Sequence, residues 1–151
     1  MGFPDLTIHH NTWGATTDQW LMFFGSNTVP NCTVRDNIGY ATPTYGPIWK
    51  AEGGLSNTGA LDASCGPGLW TVKNNICLVR QFDANLTNNY NNKTASTLAS
   101  IGFVNQTAGD YTLATGSQYK GIGTGGSDPG VNMARLTAIT DGVIAGIPTG
   151  S

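Results

Sequence analysis

Charge is scarce in this chain: only 11% of its 151 residues are Asp, Glu, Lys or Arg, and the formal net charge is −2. A weakly acidic chain has no general attraction for polyanions, so nucleic acid is not an expected partner. Long hydrophobic runs are lacking too; nothing reaches the roughly 18 consecutive apolar residues of a membrane span, and no membrane partner is expected. Met1-Gly2-Phe3-Pro4-Asp5 has neither the basic stretch nor the apolar stretch of a signal peptide. The chain opens almost directly into a strand candidate, Leu6-Thr7-Ile8, as expected of one that begins inside a fold.

Cysteines number three, Cys32, Cys65 and Cys77, and match no zinc or redox spacing. They read either as small apolar residues or as one disulfide with a thiol left over. There is no Gly-x-Ser-x-Gly elbow and no adjacent Asp pair. A Gly-x-Gly-x-x-Gly match at Gly121, Gly123 and Gly126 is followed by Ser127-Asp128-Pro129 and not by a helix, so it reads as a turn and not as a dinucleotide site. Four Asn-x-Thr sequons, at Asn31, Asn85, Asn92 and Asn105, are what an Asn- and Thr-rich chain produces by chance.

What is abundant is Gly (21), Thr (20) and Asn (14), together more than a third of the chain. Thr suits pleated surfaces while Gly and Asn punctuate them, so strands and turns are favoured over long helices. Four Trp, five Tyr and five Phe argue for a packed core and against disorder. One domain over residues 1–140, with 141–151 as a tail or linker, is the expected organisation.

Three segments align without gaps: Thr7-Ile8-His9-His10-Asn11-Thr12, Thr33-Val34-Arg35-Asp36-Asn37-Ile38 and Thr71-Val72-Lys73-Asn74-Asn75-Ile76. Their Asn residues are 26 and 38 positions apart, and a period in the twenties suits one coil of a solenoid. The longer interval holds Gly53 to Gly59, which reads as an inserted loop. Ile8, Val34 and Val72 are expected to stack inward as one apolar column. Asn11, Asn37 and Asn75 are expected to stack at the bend after the strand, satisfying the backbone of a tight internal turn. Trp20 to Phe24 and Gly46 to Trp49 are further strand candidates, Asn85 to Asn92 reads as a polar loop, and Val131 to Ile139 is a short helix candidate.

These Asn-ending repeats resemble the coils of the pectate-lyase-like superfamily of right-handed parallel β-helices. The later segments Gly102-Phe103-Val104, Gly109-Asp110-Tyr111-Thr112-Leu113, Gly116-Ser117 and Asp128-Pro129-Gly130 are similar to the C-terminal endings of large bacterial secreted members, with Gln118 where those commonly carry Pro. The resemblance covers roughly residues 6–140. It implies an all-β right-handed parallel β-helix of about three coils with a C-terminal cap, secreted or extracellular. It also implies work on polysaccharides, which in the lyases uses calcium held by clustered carboxylates with an Arg or Lys as base.

On that expectation the candidate site is built from neighbouring coils. Alternation along the strands puts His9, Arg35 and Lys73 in one outer column, suited to the carboxylates of an acidic sugar chain or to a solvated face. His10 and Asp36 fall in the next column, where a carboxylate can orient an imidazole; His10, Arg35 and Asp36 are therefore the catalytic candidates. Asp36, Glu52 and Asp62 are the candidate calcium ligands, and Trp49 and Tyr45 join His9 and Lys73 as candidate substrate contacts. Three functions stay open: a module that binds or processes an extracellular polysaccharide, a non-catalytic structural fragment of a larger secreted protein, and a small calcium-assisted hydrolase of an ester or lactone. An uncapped first coil at Leu6–Thr12 is expected to pair with a second copy, giving a homo-oligomer.

Overall fold

The computed structural model describes residues 5–14, 21–23, 29, 31–40, 48–50, 54–79 and 82–145. Its centre is the set of three repeats. Strands β1 (Thr7–His9), β4 (Cys32–Arg35) and β8 (Trp70–Lys73) form one parallel sheet, in which Ile8 pairs with Val34 and Val34 with Val72. After each strand the chain turns and enters a second sheet. Here β2 (Thr12–Trp13), β5 (Ile38–Gly39) and β9 (Ile76–Leu78) stack in parallel, with β10 (Lys93–Ala95) as fourth member.

The corner between the two sheets is a dipeptide: His10-Asn11, Asp36-Asn37, Asn74-Asn75 and Asn91-Asn92. The first residue of each is left-handed, with φ of 52°, 56°, 56° and 54°. Among non-glycine residues, Asn, Asp and His tolerate that conformation best, which explains the choice at all four corners. The second residue points into the corner. Asn37 Nδ2 donates to Ile8 O, Asn75 Nδ2 to Val34 O and Asn92 Nδ2 to Val72 O, each reaching the carbonyl one strand earlier. The Oδ1 of Asn37, Asn75 and Asn92 in turn accepts the backbone N–H and the Nδ2 of the preceding Asn at 2.9–3.1 Å. Asn37, Asn75 and Asn92 have no exposed surface, so the amides replace the water that the corner backbone has lost.

Around these ladders the fold is mixed α/β, which corrects the expected all-β right-handed parallel β-helix. Among the described residues are four α-helices, α1 (Asn57–Cys65), α2 (Ala84–Tyr90), α3 (Leu98–Ile101) and α4 (Met133–Ala145). There are also two antiparallel pairings: β6 (Ile48–Lys50) with β7 (Leu55–Ser56), and β11 (Phe103–Asn105) with β12 (Asp110–Leu113). Of the further strand candidates, Leu21–Phe23 forms β3 and pairs in parallel with β6, while Trp20, Phe24, Gly46 and Pro47 lie outside the described residues.

The helices arise from tertiary contacts that composition conceals. The stretch read as an inserted loop holds β7 and the start of α1, which forms because Ala60, Leu61, Ser64 and Cys65 fall on one face and are buried, and Cys65 is joined to Cys32 by a disulfide. Cys77 is also buried, outside that disulfide. The Asn-rich stretch read as a loop becomes α2: Asp83 is its N-cap, accepting from Leu86 N–H at 2.9 Å, while its other oxygen accepts Thr58 N–H at 2.9 Å in the first turn of α1. One carboxylate thus serves two helix starts, where negative charge is favoured. The core divides accordingly. Val34, Val72, Leu61, Trp70 and Leu86 pack with Ile8 on one side of the corner, and Ile38, Ile76, Leu78, Ala95, Ile101 and Leu113 pack on the other.

Position along the asparagine ladder should set the effect of removing a member. Asn75→Ala orphans backbone and amide groups in a dry corner and is expected to cost about 3–5 kcal/mol. Asn11→Ala, at the exposed end, should cost no more than about 1 kcal/mol. Urea unfolding of the two variants checks this; equal losses would contradict it.

Candidate functional site

In the corner column His10, Asp36, Asn74 and Asn91, the chain between Gly121 and Val131 runs back along the ladder as a strap that bonds Asp36 and Asn74, while Asn91 stays exposed. Asp36 Oδ1 accepts Thr124 N–H at 2.8 Å, the Thr124 hydroxyl at 3.0 Å and Asn74 Nδ2 at 3.2 Å. Its Oδ2 faces Arg35 Nη1 at 2.5 Å and His10 Nε2 at 3.6 Å. Further along, Gly130 N–H donates to Asp36 O at 2.8 Å and Val131 N–H to Thr12 Oγ1 at 2.9 Å. Gly130 is required there. Its φ is +86°, and a Cβ would lie 2.6 Å from Thr12 Oγ1. The strap's own turn is braced by Asp128, which accepts Lys120 Nζ at 2.6 Å and Gly121 N–H at 2.8 Å, consistent with the turn reading of the Gly121–Gly126 motif.

Asp36 is the electrostatic centre of this arrangement. Burial pushes its carboxyl pKa up, but hydrogen bonds from Thr124 N–H, the Arg35 guanidinium, the Thr124 hydroxyl and Asn74 together outweigh burial and hold it below the ordinary 3.8. The carboxylate is therefore ionised at neutral pH, has no exposed surface, and is saturated by donors from within the chain. Its oxygens face these donors of its own chain. A base needs a lone pair facing substrate, and a metal ligand needs one facing the ion.

The register brings His9, Arg35 and Lys73 into one column, as expected, because His9 pairs with Arg35 and Arg35 with Lys73. Arg35 is committed to Asp36 and is 28% exposed, whereas His9 is exposed and Lys73 half-buried. His10 joins Asp36 but stands edge-on to His9, ring centroids 5.5 Å apart. Asp62 is not brought to this site; it lies on α1 and accepts Trp70 Nε1 at 2.8 Å. Glu52 and Tyr45 lie outside the described residues, and for Trp49 only the strand backbone is described. Among the described residues no group of three or more His, Cys, Asp or Glu could hold a metal ion; of the implied calcium ligands, Asp36 lies in the corner after β4 and Asp62 on α1.

Shallow depressions of about 370 and 410 Å³ lie between the strap and α4, and both are lined by His10, Ser127, Val131 and Asn132. Ser127, His10 and Asp36 have the residue types of an acyl-transfer chain but not its geometry. The Ser127 hydroxyl donates to Thr124 O at 2.9 Å, and 3.6 Å between His10 and Asp36 is longer than a hydrogen bond. Among the described aromatics, Trp70 and Tyr40 are packed against other rings. Trp70 is buried against Tyr90, with centroids 5.3 Å apart, and Tyr40 stacks on Tyr111 at 5.8 Å to hold the β11–β12 hairpin.

Sequence reasoning missed two members of this site. Asn91-Asn92 repeats the corner dipeptide and precedes a strand, a signal that was present; it was hidden because α2, and not a Thr-apolar strand, leads into it. Thr124 carries no local signal, since it reaches Asp36 across 88 residues of sequence. Asn92 also carries a sequon but is fully buried, so it is closed to glycosylation in the folded chain.

Comparison with protein-family models, with curated proteins and with solved structures finds no match to this chain. The resemblance to pectate-lyase-like proteins thus rests on the sequence motifs alone. No helix among the described residues is long and apolar enough to cross a membrane.

The lowered Asp36 pKa has a defined consequence for stability. The contribution of the ionised group is fully present above its unfolded value near 3.8 and is lost as pH falls through the lower folded value. Asp36→Asn should cost about 3 kcal/mol at pH 7, because its amide nitrogen faces Arg35, and should flatten the acid limb of the stability curve below pH about 4. Chemical denaturation from pH 7 to pH 2.5 reads both effects. An unchanged acid limb would show that Asp36 is not the group responsible.

Proposed function

We propose that this chain is a non-catalytic structural module, a short stack of parallel strands whose corner is locked by its own C-terminal strap. The observation that carries the reading is the commitment of Asp36: the one fully buried carboxylate among the described residues is spent on Thr124, Asn74 and Arg35. A group arranged to turn over substrate would leave an oxygen uncommitted towards a cleft. The Cys32–Cys65 disulfide supports an oxidising, extracytoplasmic setting for such a module.

A second reading, the binding of an acidic polysaccharide, is favoured by one observation, the column of His9, Arg35 and Lys73 at strand spacing. Arg35 is already neutralised by Asp36, so this column offers Lys73 and, when protonated, His9. Binding of that kind would be weak and sensitive to salt.

One experiment separates the readings. The folded protein is assayed against polyuronates, neutral glycans and simple esters or lactones, with calcium and then with EDTA, and is passed over immobilised polygalacturonate at low salt. The structural reading expects no turnover, no change in melting temperature with calcium, and no retention. Retention that is lost in Lys73→Gln establishes the binding reading instead. Calcium-dependent turnover overturns both.

A further inference from the structure

The strap grips the corner unevenly. Its two ends are fixed by packing: Ile122 is half-buried against the second core, and Pro129 and Gly130 are buried, with Gly130 N–H bonded to Asp36 O. Between them, residues 123–128 read Gly-Thr-Gly-Gly-Ser-Asp and bring no apolar side chain to the corner. Thr124, Gly125 and Gly126 are exposed. Thr124 supplies the bonds from this stretch to the column. Its N–H and its hydroxyl both donate to Asp36 Oδ1, at 2.8 and 3.0 Å, and the hydroxyl accepts Asn74 Nδ2 at 3.3 Å.

The same stretch is tied to itself. Gly123 N–H donates to Ser127 O at 2.8 Å, Gly126 N–H to Gly123 O at 3.1 Å, and the Ser127 hydroxyl to Thr124 O at 2.9 Å. Asp128 closes the turn by accepting Gly121 N–H and Lys120 Nζ. These bonds need nothing from the corner, so the turn keeps its shape when Thr124 lets go. The ladder beneath is held differently, by the amides of Asn37, Asn75 and Asn92 without exposed surface and by apolar packing on both sides. A contact made of exposed polar bonds opens at far lower free energy than one made of buried amides and apolar packing.

We infer that residues 123–128 are a latch, which swings off Asp36 as one preformed turn while the asparagine ladder stays closed. Thr124 is its tooth, and Ile122 and Pro129-Gly130 are its fixed ends. Closed, the Asp36 carboxylate faces donors of its own chain. Open, its Oδ1 meets solvent beside His10, with Arg35 and Asn74 still in place. The corner column thus has two states, and the latch decides whether its buried carboxylate is reachable.

The inference rests on the structural-module reading and adds to it how the strap moves. Its test is amide hydrogen exchange of the full chain, followed residue by residue at several low urea concentrations. Thr124 N–H is expected to be less protected than Asn75 N–H, with an exchange rate nearly independent of urea. Gly123 N–H, whose partner Ser127 O moves with it, is expected to stay more protected than Thr124 N–H. Thr124→Val keeps the N–H but loses the hydroxyl, and should speed exchange at position 124 by about tenfold while leaving Asn75 unchanged; Thr124→Ser should restore the original rate. Equal protection and equal urea dependence at Thr124 and Asn75 would overturn the latch, because the strap would then leave only on global unfolding. Equal protection at Gly123 and Thr124 would overturn it as well, because the turn would then unravel and not swing. Either result leaves the non-catalytic reading standing, whereas turnover of a substrate would remove that reading without altering the exchange pattern.

Discussion

A tight internal corner that must be repeated is the constraint on which this structure depends. Each turn from one sheet into the other buries backbone groups that can no longer reach water, and an unpaired buried amide costs on the order of 1–3 kcal/mol. The chain meets this with two adjacent residues of different duties. The first takes the left-handed conformation that reverses the backbone, and the second sends its amide into the corner, where donor and acceptor are both used. Because Asn37 and Asn75 each touch the Asn before and after them, the corner is a cooperative unit and not four separate turns. The apolar columns on either side follow from that register, since fixing the corner fixes which residues point inward.

The strap is the second consequence. A column of left-handed residues leaves its own side chains, His10, Asp36, Asn74 and Asn91, lined up on the outside of the corner. Asp36 there would be an uncompensated buried charge without Arg35 and Thr124. The Gly121–Val131 segment converts it into an anchor, so that residues far apart in sequence close over the ladder. This is why the carboxylate that looks most like a functional group faces donors of its own chain.

The parallel core was legible in the sequence because its signals are local and repeated. Thr7-Ile8, Thr33-Val34 and Thr71-Val72 show the strand, and the Asn five positions into each segment shows the corner. Alternation then placed His9, Arg35 and Lys73 in one column. The helices were not legible for a physical reason: α1 and α2 are short, α2 is rich in Asn, and they stand on a disulfide, on Asp83 and on burial against β8, none of which is a local propensity. Those elements turn an expected all-β solenoid into a mixed α/β fold. The surroundings of the candidate site were illegible for a similar reason. Residue types placed His10 beside Asp36 correctly, but whether a carboxylate is free or spent depends on Thr124, whose approach no spacing announces.

The measurement that bears most directly on this account is native-state hydrogen exchange of the corner amides. If the ladder is the cooperative centre, the backbone N–H and side-chain amide protons of Asn37 and Asn75 exchange only by global unfolding, and they show the same dependence on denaturant as the most protected strand amides. The corresponding protons of Asn11 exchange far faster. Rapid exchange at Asn37 and Asn75, comparable with exposed loops, would contradict the claim that the asparagine corner holds the fold together.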